Sequence, residues 1–181
     1  MQIPKRLFVS GYRNFELGIF QDNDKKIKII KAILRNKLIE YLEQGLEWVI
    51  IGGNLGIEFW SFETVLELKE EYPSLKVSVI FPFETFGEQW KENNQLKLLA
   101  MKEMADYVDA TSHHPYQNPG QFKSHTQFLL THTDGALLVY DEAYPGKTGY
   151  FLTSVKKWQE QAPYFLELLT MDDLNNYLEN L

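Results

Sequence analysis

The sequence predicts an α/β protein, a three-layer α/β/α sandwich with a mainly parallel sheet. Three observations predict it. Short apolar runs such as Trp48-Val49-Ile50-Ile51 and Gly135-Ala136-Leu137-Leu138-Val139-Tyr140 lack polar alternation, as strands covered on both faces do. Each strand-like run ends at a turn rich in glycine, proline or charge, and a segment with helical spacing follows it. Strand and helix then alternate along the whole chain, which favours parallel pairing with crossover helices. No linker or internal repeat interrupts the pattern, so residues 1–181 are read as a single domain.

Taken in order, residues 6–10 (Arg-Leu-Phe-Val-Ser) form the first predicted strand, stopped by Gly11. Residues 24–44 predict a helix, because Ile27, Ile30, Leu34, Leu38 and Tyr41 recur at helical spacing before Gly45. Residues 48–51 give the second strand and 57–71 the second helix, which leads to Pro73. Residues 76–81 predict a third strand, 87–104 a helix and 106–110 a short fourth strand. His113 to Gly120 has loop composition, followed by a helix over 122–132 and a strand over 135–140. A loop over 141–148 precedes a helix over 149–161, a strand over 164–168 and a last helix over 171–181. Asp172 and Asp173 fall in the first turn of that helix, where negative charge is favoured.

Composition narrows the function. The net charge of −7 argues against a broad nucleic-acid surface, which needs a basic face. Cysteine is absent, which removes disulfides, thiolate chemistry and cysteine metal sites. No apolar run reaches the roughly 20 residues of a membrane helix, and the first residues enter a strand without a signal-peptide pattern. These features predict a soluble, cytoplasmic protein with no membrane partner.

Ligands of parallel sheets sit beyond the carboxyl ends of the strands, near the point where strand order reverses. Four segments fall at such ends: Gly11-Tyr12-Arg13, Gly52-Gly53-Asn54-Leu55-Gly56, Pro82-Phe83-Glu84 and the stretch from Asp141 to Gly149. Glycines at 52, 53 and 56 allow close backbone approach, and amides at the following helix start can face phosphate or carboxylate. The plainer reading is a strand-to-helix turn that needs positive φ. Glu58, in the first helical turn, suits either the helix dipole, a hydrogen bond to a ribose or base, or proton transfer. Arg13 suits a bidentate phosphate clamp or a surface ion pair.

Pro145-Gly146-Lys147-Thr148-Gly149 is not a P-loop, because Asp141 stands where the leading glycine belongs. It remains a glycine-bracketed loop that opens a helix and offers Lys147, Thr148 and amides to an anion. His125 and His132 share a helix face without the convergent carboxylate that a zinc site wants, so no metal is assigned. Tyr12, Trp60, Phe83, Phe86 and Trp90 are candidates for stacking on a base and equally for core packing.

These residues together resemble the bacterial YpsA family: Val9-Ser10-Gly11-Tyr12-Arg13, the glycine turn with Glu58, Phe81-Pro82-Phe83-Glu84 with Trp90, and Tyr140-Asp141-Glu142 leading into Pro145-Gly146-Lys147-Thr148-Gly149. The resemblance runs nearly end to end. It implies membership of the SLOG superfamily, which includes the DNA-processing protein Smf and the LOG phosphoribohydrolases. It therefore implies a Rossmann-like sheet with a nucleotide pocket at the glycine turns. The LOG enzymes carry P-G-G-x-G-T-x-x-E, with a catalytic glutamate. Here Tyr150 replaces the threonine and Thr153 stands in the glutamate's place. A hydroxyl does not supply the carboxylate's charge or proton acceptance at neutral pH.

The expected function is binding or sensing of a nucleotide or nucleotide derivative, ADP-ribose-like in kind. The alternatives are hydrolysis of an N-glycosidic or phosphate bond, with Glu58 as acid or base, and single-stranded DNA binding. The expected ligand residues are Gly11, Arg13, Gly52, Gly53, Asn54, Gly56, Glu58, Pro82, Glu84, Asp141, Gly146, Lys147, Thr148 and Gly149. The sequence leaves turnover, oligomeric state and protein partners open.

Overall fold

Six strands make one sheet: β1 (Arg6–Gly11), β2 (Trp48–Ile51), β3 (Lys76–Phe81), β4 (Tyr107–Ala110), β5 (Gly135–Val139) and β6 (Phe165–Leu169). In this computed structural model, which describes residues 2–180, every pairing is parallel and the order is β4-β3-β2-β1-β5-β6. The chain leaves β1 toward β2 on one side, and β5 returns on the other. The reversal of strand order therefore lies between β1 and β5, where Gly11 pairs with Val139 at the carboxyl ends.

Helices α1 (Lys25–Leu42), α2 (Ile57–Leu68), α3 (Glu92–Met104) and α6 (Met171–Glu179) lie side by side on one face. Helices α4 (Gly120–His132) and α5 (Thr148–Trp158) cover the other. Coverage on both faces explains why the strands read as apolar runs: Leu7, Val9, Val49, Ile51, Val77, Val79, Leu137 and Leu138 are fully buried. Capping follows the sequence. Asp24 accepts from the Lys26 amide at the start of α1, and Thr170 and Asp173 form a reciprocal box at the start of α6. No described helix is long and apolar enough to cross a membrane.

The predicted elements all appear, with most ends displaced by up to three residues. The largest correction concerns α3, which starts at Glu92 rather than at residue 87. Gly87 adopts φ +84°, and the Gln95 side-chain amide ties the carbonyls of Gly87, Glu88 and Trp90 into a non-helical turn. A 3-10 turn over Asn14–Leu17, closed by Gly18 at φ +68°, was not foreseen. Residue 181 of the predicted last helix lies outside the described residues.

Candidate functional site

Gly53 and Gly56 sit at φ +90° and +86°, the left-handed region that side chains rarely occupy. Packing reinforces the torsion. A Cβ on Gly53 would enter the ring of Phe81, and one on Gly56 would lie 2.5 Å from the Tyr12 carbonyl oxygen. The turn thus presses against β3 on one side and against the loop after β1 on the other. Gly11 is small for a related reason, since a Cβ there would lie 2.6 Å from the Val139 carbonyl oxygen.

The amides of this turn face an anion that belongs to the chain. Glu58, only 2% exposed, folds back beneath the turn. Its Oε1 accepts from the Gly52 amide at 2.6 Å and from the Asn54 amide at 3.4 Å. Its Oε2 accepts from Ser10 Oγ at 2.8 Å and Asn54 Nδ2 at 3.0 Å, with Arg13 Nη1 at 3.8 Å. The expectation that these amides point at an external anion is corrected accordingly. They hold Glu58, because a buried carboxylate needs donors and these are the nearest. Each Glu58 oxygen already holds two hydrogen bonds.

A second carboxylate does the same for the loop before α5. Glu16 accepts from the Arg13 amide at 2.7 Å and from the Lys147 amide at 3.0 Å, so it ties the β1 loop to the α5 loop. The Gly146 amide donates to the Tyr140 hydroxyl at 3.1 Å, and a Cβ on Gly149 would lie 2.6 Å from that same oxygen.

Between these loops and the α4–α5 layer lies a cavity of about 510 Å³. That size falls in the ligand-pocket range of roughly 300–1,000 Å³. Its polar wall is Ser10, Arg13, Asn54, Glu58, His125, Lys147 and Thr148, and its apolar wall includes Phe8, Pro82, Phe86, Phe122 and Phe151. Arg13 donates from Nη1 to the Gly11 carbonyl at 3.0 Å, which orients the guanidinium at the cavity edge. Thr148, the first residue of α5, is 3% exposed, and its Oγ1 has no hydrogen-bond partner. His125 donates from Nε2 to the Ile80 carbonyl at 2.6 Å. Burial lowers its pKa from the ordinary 6.5, against the opposing pull of the Ile80 carbonyl and Glu58. The ring is therefore neutral, with Nδ1 left as an acceptor.

Of the residues expected at the site, Arg13, Asn54, Glu58, Pro82, Lys147 and Thr148 line this cavity. Gly11, Gly52, Gly53, Gly56, Gly146 and Gly149 shape its edges through packing rather than lining it. Glu84 is exposed outside it. Asp141 turns away, accepting from the Ala143 amide at 2.9 Å and from the Met171 amide at 3.1 Å at the start of α6. Among the stacking candidates only Phe86 reaches the cavity. Phe83 and Trp90 pack around Phe86, the Tyr12 hydroxyl supports the Asp141–Tyr144 loop, and Trp60 lines a separate cleft. His132 stacks on Phe128 with ring centroids 3.9 Å apart, away from the cavity residues. Thr153 donates to the Gly149 carbonyl at 3.0 Å and lies outside the cavity.

Sequence reasoning missed Ser10, Glu16 and His125 as parts of this site. Ser10 carried a signal, a polar residue closing an apolar strand at the reversal of strand order. Glu16 and His125 act through partners 131 and 45 residues away, for which no local pattern exists.

Residues 7–174 match the family model described as YspA SLOG family. The chain is 51% identical to a UPF0398 protein of Enterococcus faecalis over 97% of its own length and 98% of the relative's. It is 46% identical to a UPF0398 protein of Leuconostoc citreum over 95% and 91% of the two chains, and 44% identical to one of Limosilactobacillus reuteri over 97% and 93%. With its parallel sheet, its reversal beside β1 and its glycine turn closed by Glu58, the chain belongs to the YpsA family of SLOG proteins.

Proposed function

We propose that this chain is a cytoplasmic binding protein or sensor for a nucleotide or nucleotide derivative. The phosphate lies toward Arg13, Lys147 and the start of α5, and the base or sugar lies against Phe86, Phe122 and Phe151. The observation that carries the reading is Thr148. A buried hydroxyl without a partner costs about 1–3 kcal/mol, and here it stands at a helix N-terminus in a cavity that also holds Arg13 and Lys147. A phosphate oxygen satisfies the hydroxyl, both cations and the helix dipole at once.

Binding is favoured over hydrolysis by two features. Glu58 has its hydrogen-bonding capacity filled by Ser10, Gly52 and Asn54, and Thr153 lies outside the cavity.

Calorimetry with nucleoside mono- and diphosphates tests the proposal, using wild type and Thr148→Val. The valine removes the hydroxyl at nearly constant shape. Affinity should fall about tenfold, which is about 1.4 kcal/mol, while the melting temperature of the ligand-free protein holds or rises. Absence of binding by every nucleotide at millimolar concentration defeats the proposal. So does equal affinity of the two proteins.

A further inference from the structure

The α4–α5 layer differs from the rest of the surface. The chain holds 25 acidic residues, yet the sequences of α4 (GQFKSHTQFLLTH) and α5 (TGYFLTSVKKW) contain none. Each of the other four helices carries at least one. Between α4 and α5 runs a groove of about 840 Å³. Lys123 and Lys157 line it with the aromatic surfaces of Tyr150 and Trp158, and no carboxylate does. Tyr150 is 82% exposed and Phe122 45%, a large apolar display for side chains that the core does not use.

The groove is continuous with the cavity at the strand ends. Phe122, Thr126 and Tyr150 line both. A ligand seated with its phosphate at Thr148 therefore has an open path past Tyr150 into a basic, aromatic channel. Cations without carboxylate partners in an otherwise acidic protein favour an anion or a polar ring system that stacks. Gln127 and Gln161 add amide donors and acceptors of the kind that recognise sugar hydroxyls.

We infer that the ligand is a two-part molecule, a nucleoside diphosphate esterified to a sugar, with its distal half in the groove between α4 and α5. The inference rests on the nucleotide reading of the cavity and assigns the groove a part in it. The cavity holds one end of the molecule, and Lys123, Lys157 and Trp158 hold the other. The finite groove and few cations suit a small ligand better than a polynucleotide, whose tracking needs a longer basic path.

The test compares each nucleoside diphosphate with its sugar ester: ADP with ADP-ribose, UDP with UDP-glucose and GDP with GDP-mannose. Calorimetry is run on wild type, on the exposed-surface variants Lys123→Glu and Lys157→Glu, and on a deoxythymidine decamer at low and high salt. The expected result is one ester bound at least tenfold more tightly than its diphosphate. Either charge reversal should remove most of that advantage and leave affinity for the diphosphate unchanged. If a diphosphate binds and its ester gains nothing, or if neither variant changes the ester's advantage, this inference fails and the nucleotide reading stands. If no member of any pair binds, both fail. Decamer binding that is tighter than any ester and falls steeply with salt overturns the small-ligand assignment in favour of a single strand.

Discussion

Changing Glu58 to glutamine removes one negative charge from a buried position and leaves the shape of the side chain nearly intact. The wild-type carboxylate accepts from Gly52, Asn54 and Ser10 and sits beside Arg13. With its carbonyl kept on the Gly52 amide, the glutamine turns its amino group toward Ser10 Oγ and Asn54 Nδ2. Ser10 can rotate to accept, whereas the Asn54 amide must flip or lose its bond. Hydrogen bonds to a charged group contribute about 1.5–3 kcal/mol and neutral ones about 1 kcal/mol. Two weakened bonds together with the uncompensated Arg13 therefore lower stability by about 2–3 kcal/mol. For a chain of this size each kcal/mol shifts the melting temperature by about 2–4 °C, so a drop of about 4–12 °C is expected. Thermal and urea denaturation of the ligand-free protein measure it. A melting temperature within about 1 °C of wild type would refute the view that Glu58 holds the loops. If a hydrolytic activity were also abolished in that stable variant, Glu58 would be a chemical group instead.

Two other perturbations follow from the same geometry. Gly53→Ala combines a φ of +90° with a clash into Phe81 and should cost more than about 2 kcal/mol in urea unfolding. Gly53→Ala/Phe81→Leu should recover the steric part only, so recovery to full wild-type stability would contradict the torsional argument. His125 is buried neutral with a lowered pKa, so the unfolded chain binds its proton first as pH falls. Its stabilising contribution is complete above its ordinary value of 6.5 and is lost as pH drops below it toward the lowered folded value. Replacing His125 by glutamine should therefore flatten the change in urea midpoint between about pH 7.5 and 5.5. An unchanged slope would show that other groups carry the pH dependence.

Much of the fold was legible because burial on both sheet faces leaves an unambiguous mark. β5 reads Gly-Ala-Leu-Leu-Val and is buried throughout, so its apolar run admits few alternatives. The start of α3 was less legible. Residues 87–91 carry polar and aromatic residues compatible with a helix, and only the positive φ of Gly87 and the reach of Gln95 rule one out. At the site, the glycine turn was identified correctly as a place of close approach, but its occupant was not. Glu58 at the start of α2 looks like any acidic residue in a first helical turn. That it supplies the anion depends on Ser10, 48 residues earlier, closing over it. The cavity residues contributed by α4 were hidden for the same reason, since nothing local in His125 announces the Ile80 carbonyl.

Glu16 and Glu58 occupy amide donors that a bound phosphate would otherwise have to organise. The strand-end loops consequently keep their shape with the cleft empty, and ligand entry need not order them. Association then avoids the entropy loss of folding a loop around its guest, and affinity is set by the contacts themselves. A chain built this way is ready before its ligand arrives, which suits it to reporting small changes in ligand concentration without a slow conformational step.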